Sequence, residues 1–239
     1  MTKLPISEIF GPTIQGEGML IGCTSIFIRL HGCDNNCSWC DTKYARIGND
    51  YVFMSPEEIV QKVLEISGGV EDVVITGGNP LIYDLDQLVY LLIKEGKCVS
   101  VETQGTFYND WIRLTHMVTV SPKPPSSGNP TDKDSITIRK FIKLGAYGVG
   151  PLVTWKFVVF DDNDIEYVKD FLSVIDTDEQ LVFIQIGCKY KCDSAEDKIN
   201  YLNDVRALTE TILKDPILCT VSGILPQLHK FIWDSRRGV

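Results

Sequence analysis

Cys33, Cys37 and Cys40 stand in C-x3-C-x2-C spacing in the run HGCDNNCSWCDT, three thiols within eight residues. Thiolates crowded into one loop can wrap a small inorganic cluster. A structural zinc site completed by His31 or a distant cysteine is the alternative, but zinc ligands usually come as two separated pairs, so the spacing favours iron and sulfur. The number three is informative. A four-iron cubane held by three cysteines leaves one iron without a protein ligand, and an open coordination position is what a catalytic metal requires.

The elements that must position this loop follow from the rest of the chain. Its 239 residues, 44% apolar and 23% charged, suffice for one sizeable core, and a single domain over 1–239 is expected. The formal net charge of −9 argues against a general DNA or RNA binder. No apolar run approaches the roughly 18 residues that cross a bilayer. The start MTKLPISEIF lacks a basic segment followed by an apolar one, so a cytoplasmic protein with no membrane partner is expected.

Six β-branched runs alternate with helical patterns: Thr24–Leu30, Val73–Thr76, Cys98–Glu102, Met117–Ser121, Thr154–Phe160 and Leu181–Ile186. Ser55 and Glu58 form a capping box before a helix containing Ile59 and Val63. Leu85–Glu95 ends at Gly96, Ser135–Leu144 stops at Gly145, and Asn163–Val174 and Ala195–Leu213 complete the helices. The pattern predicts an α/β fold with a mainly parallel sheet, an open or partial (βα)6 barrel whose ligand site lies at the C-terminal strand ends. The cysteine loop then directly follows the first strand. After the fourth, SPKPPSSGNP (residues 121–130) reads as a stiff strand-top loop, or alternatively as a surface linker. Cys23, Cys98 and Cys219 lie in apolar contexts expected of core thiols; Cys188 and Cys192 form C-x3-C near the sixth strand, too few ligands for a second cubane, and KYKCDSAED (residues 189–197), which carries Cys192, reads as a solvated loop.

The triplet, with Trp39 before its last cysteine and at the top of the first strand, resembles the radical S-adenosylmethionine superfamily. Thr76-Gly77-Gly78-Asn79-Pro80, one β/α unit downstream, resembles that superfamily's glycine-rich cofactor element, with Asn79 where an acid is usual. The resemblance implies a [4Fe-4S] cluster whose unique iron is chelated by S-adenosylmethionine, which is cleaved to a radical that abstracts a substrate hydrogen. EIFGPTIQGEG, FIRLHGCDNNCSWCDT, ITGGNP, VETQGT, SPKPPS and LPQLHKFIWDSRRGV together are similar, nearly end to end, to the 7-carboxy-7-deazaguanine synthase family. That resemblance implies a carbon–nitrogen lyase that contracts 6-carboxy-5,6,7,8-tetrahydropterin to 7-carboxy-7-deazaguanine with loss of ammonia, on the way to queuosine. It further implies magnesium, a homodimer and a flavodoxin-like electron donor.

A pterin presents an amidine-like edge of N–H donors and a carboxylate, so its site needs acceptors at one end and cationic partners at the other. Glu102, at the end of its strand, points into the mouth or is a solvated loop acid. Arg29, the charge in the otherwise apolar TSIFIRL, must be paired if it faces inward, by the substrate carboxylate; on the outer face it would meet a helix acid instead. By resemblance, Gln15, Gly16, Glu17, His229 and the terminal carboxylate of Val239 join them around the substrate, and Thr42 ligates magnesium. Gly77, Gly78, Asn79, Thr103, Ser121, Lys123 and Gln185 are placed around S-adenosylmethionine by their strand-top positions. No side chain is assigned as catalytic acid or base. The competing readings are a glycyl-radical activase of the same superfamily, which would dock a protein, and a non-catalytic metal module, which should have a fourth ligand.

Overall fold

Short runs rich in β-branched residues read as strands, and the six expected ones are all present and parallel. They are β2 (Thr24–Leu30), β4 (Asp72–Gly77), β5 (Cys98–Thr103), β6 (Met117–Val120), β7 (Leu152–Val159) and β8 (Leu181–Ile186). The computed structural model describes residues 3–146 and 150–239. Among these are three further strands that the sequence pattern did not reveal: β1 (Leu4–Ile14), β3 (Val52–Met54) and β9 (Gly223–Pro226). The sheet order is β3-β1-β2-β4-β5-β6-β7-β8-β9, with β1 antiparallel to β2 and β3, and with β9 adding a seventh parallel strand. The sheet stays open, with β3 and β9 at its edges, as a partial barrel. The cysteine loop therefore follows the second strand of the chain, the first of the parallel set.

These three strands escaped for physical reasons. β1 carries Pro5, Pro12 and Gly11, and its pairing with β2 shifts register twice, so period-2 alternation is broken. β3 has three residues, two of them exposed, and β9 is a four-residue edge strand ending in Pro226.

The helices are α1 (Pro56–Ser67), α2 (Asp86–Lys94), α3 (Ile136–Ala146), α4 (Asp162–Leu172), α5 (Ala195–Lys214) and α6 (Leu228–Trp233). The capping box of α1 forms as expected, Glu58 N–H donating to Ser55 Oγ at 3.2 Å. Gly96 follows α2 at φ +74°, the left-handed turn expected of it. Gly145 does not stop α3, which runs to Ala146. A Cβ at Gly145 would lie 3.0 Å from Gln180 Oε1, so this glycine lets the helix approach β7 and Gln180 rather than ending it.

Alternation divides the sheet into two faces. Ile26, Ile28 and Leu30 of β2, Val73 and Ile75 of β4, Val99 and Val101 of β5, and Val153, Trp155 and Phe157 of β7 join the core beneath the helices. The intervening residues are largely polar: Arg29, Thr76, Glu102, Thr119, Thr154, Lys156 and Gln185. A polar inner face on a sheet otherwise built from β-branched residues marks where a ligand belongs.

Candidate active site at the open mouth of the sheet

A cavity of about 300 Å³ opens at the C-terminal ends of the parallel strands. One wall is the cysteine loop. Cys33, Cys37 and Cys40 all line the cavity, with Thr42 beside them, its Oγ1 3.7 Å from Cys40 Sγ. The loop is clamped by backbone: Gly32 N–H donates to Ala45 O at 2.7 Å, and Asn79 N–H donates to Gly32 O at 2.8 Å. Gly77 and Gly78 are required here by close approach. A Cβ at Gly78 would lie 1.9 Å from Gly32 O, and one at Gly77, where φ is +138°, would lie 2.2 Å from Leu30 O.

From the other side, the proline-rich segment supports the same loop. Ser38 N–H donates to Ser127 O at 2.9 Å, and Trp39 Nε1 donates to Ser126 Oγ at 3.0 Å. Ser126 is itself fixed by the fully buried Asp164 of α4, which accepts its hydroxyl at 2.6 Å. SPKPPSSGNP is thus a strand-top support, the first of its two expected roles.

Burial, together with the neighbouring thiols, raises the pKa of Cys33 and of Cys37. Three converging thiols suit an iron–sulfur cluster, whose assembly would displace their protons. The donor set therefore fits the cluster expected of it.

The opposite wall is built from charges. Lys156 of β7, 6% exposed, donates to Glu17 Oε2 at 2.8 Å and to Glu102 Oε1 at 3.1 Å. Thr76 Oγ1 donates to Glu102 Oε2 at 2.9 Å, and Gln227 Nε2 donates to Glu17 Oε1. Burial alone would raise the Glu17 pKa. The Lys156 and His229 charges and the two hydrogen bonds outweigh it, holding the carboxyl down to about 2. For Lys156 burial works against the charge, and the two carboxylates overcome it, raising its pKa above the ordinary lysine value. Glu17, Asp41 and His229 bring ligand atoms within 4.8 Å of one another beside Thr42.

Arg29 lies on the cavity face, and its Nε donates to Glu8 Oε1 of β1 at 2.6 Å. Tyr44 OH donates to the same oxygen at 2.7 Å, and Arg237 Nε donates to Glu8 Oε2 at 2.9 Å. The Arg237 guanidinium stacks 3.7 Å from the Tyr44 ring centre, so residues 233–239 cross the rim and Val239 reaches the cavity.

Residues 27–118 match the Radical SAM superfamily. The chain is 36% identical to the 7-carboxy-7-deazaguanine synthase of Bacillus cereus, over 100% of both chains. It is 37% identical to that of Bacillus subtilis, over 99% of this chain and 98% of the relative. This chain belongs to the 7-carboxy-7-deazaguanine synthase family. The crystal structure of QueE from Escherichia coli has the same fold, with a TM-score of 0.63 at 27% identity, covering 87% of this chain and 91% of that one. Membership in this radical S-adenosylmethionine family implies a [4Fe-4S] cluster and S-adenosylmethionine as cofactors.

Against the residues expected for such a synthase, the structure brings most together. Gln15, Gly16, Glu17, Arg29, Glu102, His229 and Val239 line the cavity, as do Gly77, Gly78, Thr103, Ser121 and Lys123. Gly16 is needed for space, since a Cβ there would meet His229 Nδ1 at 2.3 Å. Arg29 has an intrachain partner, Glu8, that was not foreseen. Two of the expected residues, Asn79 and Gln185, do not line the cavity. Asn79 is fully buried outside the cavity lining, its amide donating to Asp34 at 2.9 Å and Thr106 at 3.1 Å and its oxygen accepting from Thr103. Gln185 is also fully buried, accepting from Gly18 N–H at 3.1 Å and donating to Leu225 O, so it fixes the turn that carries Glu17.

Lys156 was missed, although a lysine in the apolar run TWKFVVF gives the same signal as Arg29 in TSIFIRL. Asp41, Gln104, Tyr44 and Gln227 also line the site with no local signal. The cysteine expectations also need correction: Cys23, Cys98 and Cys219 are exposed, while Cys192 in the supposedly solvated loop is buried.

Proposed function

We propose that this chain converts 6-carboxy-5,6,7,8-tetrahydropterin to 7-carboxy-7-deazaguanine with loss of ammonia. The observation that carries this assignment is one cavity walled by three cysteines on one side and by the Glu17–Lys156–Glu102 network on the other. When bound, the cluster and S-adenosylmethionine supply the radical that abstracts a hydrogen from the substrate.

The protein's own task is to bind and orient. Glu17 and Glu102 act as acceptors for the amidine-like N–H edge, and Lys156 holds both carboxylates in place by donating to each. Arg29 gives only Nε to Glu8, and its Nη groups, without a hydrogen-bond partner among the described residues, receive the substrate carboxylate. His229 and Val239 border the same volume and complete the enclosure. Gly77, Gly78, Thr103, Ser121 and Lys123 surround S-adenosylmethionine.

The Thr42 hydroxyl and the Asp41 carboxylate are hard oxygen donors suited to magnesium, which with waters and the substrate carboxylate would complete its shell. A homodimer, a cytoplasmic location and a flavodoxin-like reductant belong to the same proposal. It is tested anaerobically with reconstituted cluster, dithionite, S-adenosylmethionine, magnesium and the pterin. Substrate-dependent 5′-deoxyadenosine and deazaguanine, followed by mass spectrometry, are expected. Deoxyadenosine without deazaguanine would overturn the substrate, and neither product from a zinc-only protein would overturn the enzyme.

A further inference from the structure

Outside the two walls, one pair of side chains has the geometry for chemistry that substrate binding does not use. Cys188 and Cys192 bracket a three-residue loop after β8, and their Sγ atoms lie 3.2 Å apart. Cys192 is fully buried, whereas Cys188 lines the cavity, so one sulfur can be reached from solvent and the other only through the first. Cys192 also adopts φ +61°, a left-handed conformation that side-chain-bearing residues rarely take and that the surrounding structure must impose. The imposed backbone holds the second thiol against the first.

We propose that Cys188 and Cys192 are a dithiol that exchanges with a low-molecular-weight disulfide and, once oxidised, alters the substrate wall of the cavity. The Cys188 sulfur attacks one sulfur of the small disulfide, releasing one thiol and forming a mixed disulfide. Cys192 then attacks the Cys188 sulfur, and the second small thiol leaves. Two cysteine thiols are oxidised, one external disulfide is reduced to two thiols, and the two cysteine protons end on those thiols.

The link to the site is a short chain of hydrogen bonds. Cys188 N–H donates to Gln227 Oε1 at 2.7 Å, and Gln227 Nε2 donates to Glu17 Oε1. Closing the sulfur contact from 3.2 Å to a bond of about 2.05 Å moves this backbone, because Gly187 is already packed against the Phe160 ring with no room to absorb the shift. Burial and the adjacent Cys192 raise the Cys188 thiol to about 12. Exchange at neutral pH is therefore slow, and the disulfide once formed is long-lived.

The test uses the cluster-loaded protein, held anaerobically with oxidised glutathione at about pH 8.5, near the ordinary thiol pKa. After alkylation and trypsin digestion, the peptide ending at Lys189 is expected joined to the peptide Cys192–Lys198, with iron content unchanged. Cys192→Ser is expected to stop at the Cys188–glutathione adduct, and Cys192→Ala serves if the serine variant does not fold. The oxidised wild type is expected to bind the pterin about tenfold more weakly than the reduced protein, the loss of roughly one hydrogen bond. Both thiols remaining alkylatable at equilibrium, or equal affinity of the oxidised and reduced forms, would overturn the proposal. The peptide readout needs no substrate, so failure of the pterin assignment, seen as no binding even to reduced protein, is distinguishable from failure of the dithiol.

Discussion

The two walls of the cavity hold their functional groups by opposite means. The cysteine wall is set by backbone contact: Gly77 and Gly78 pack directly on Leu30 and Gly32, leaving no room for a methyl group. The substrate wall is set by charge, with Lys156 holding Glu17 and Glu102 from strands and loops far apart in sequence. Backbone packing fixes a position whatever the pH or salt. A buried ion network is only as secure as the protonation state of each member.

The difference can be broken or sharpened experimentally. The largest effect is expected from Cys37→Ala, which should abolish S-adenosylmethionine cleavage as well as product; persistent 5′-deoxyadenosine would contradict the cluster assignment. Lys156→Met should follow, because it leaves two carboxylates buried without their cation. A loss of about 3–5 kcal/mol in denaturant unfolding is expected, with iron binding retained in whatever protein folds. Gly78→Ala should do the converse, costing about 1–3 kcal/mol and most of the bound iron, measured by metal analysis, because the obstructing atom is a backbone oxygen that cannot swing away.

Acid should separate the walls without mutation. Glu17 is held at about 2 against an ordinary 4.5, so its contribution is fully present above about pH 4.5 and is lost as pH falls toward 2. Wild-type stability should therefore decline across that window, and Lys156→Met should show a shallower decline. The smallest effect is expected from Arg237→Ala at the half-exposed rim: below about 1 kcal/mol in thermal unfolding, with a change in KM for the pterin instead.

Legibility in the sequence follows the same division. C-x3-C-x2-C and GGNP are local, and their spacing alone suggested a metal loop and a close-packed turn. The parallel strands were legible because β-branched and aromatic residues at their core-facing positions recur in short runs between helical patterns. Lys156 carried a visible signal, a charge in TWKFVVF, yet its partners Glu17 and Glu102 lie 139 and 54 residues away, and nothing local names them. Asn79 misled because a polar residue after two glycines resembles a ligand, whereas its side chain caps the turn Pro80–Ile82 and ties down Asp34. Cys98 misled because apolar neighbours suggest a core thiol, but as the first residue of β5 it lies at the sheet margin.

From β5 to β9 each strand pairs with its immediate predecessor in the chain. Such a sheet can be extended one β/α unit at a time, every arriving strand finding an edge already made, with little loop-closure entropy at each step. In that order of growth the cysteine loop and the glycines that seat it belong to the first pair of parallel strands, whereas Lys156 arrives only with β7 and Gln227 only after β9. Metal capture can thus begin on a half-built scaffold, and substrate recognition is the last property the growing sheet acquires.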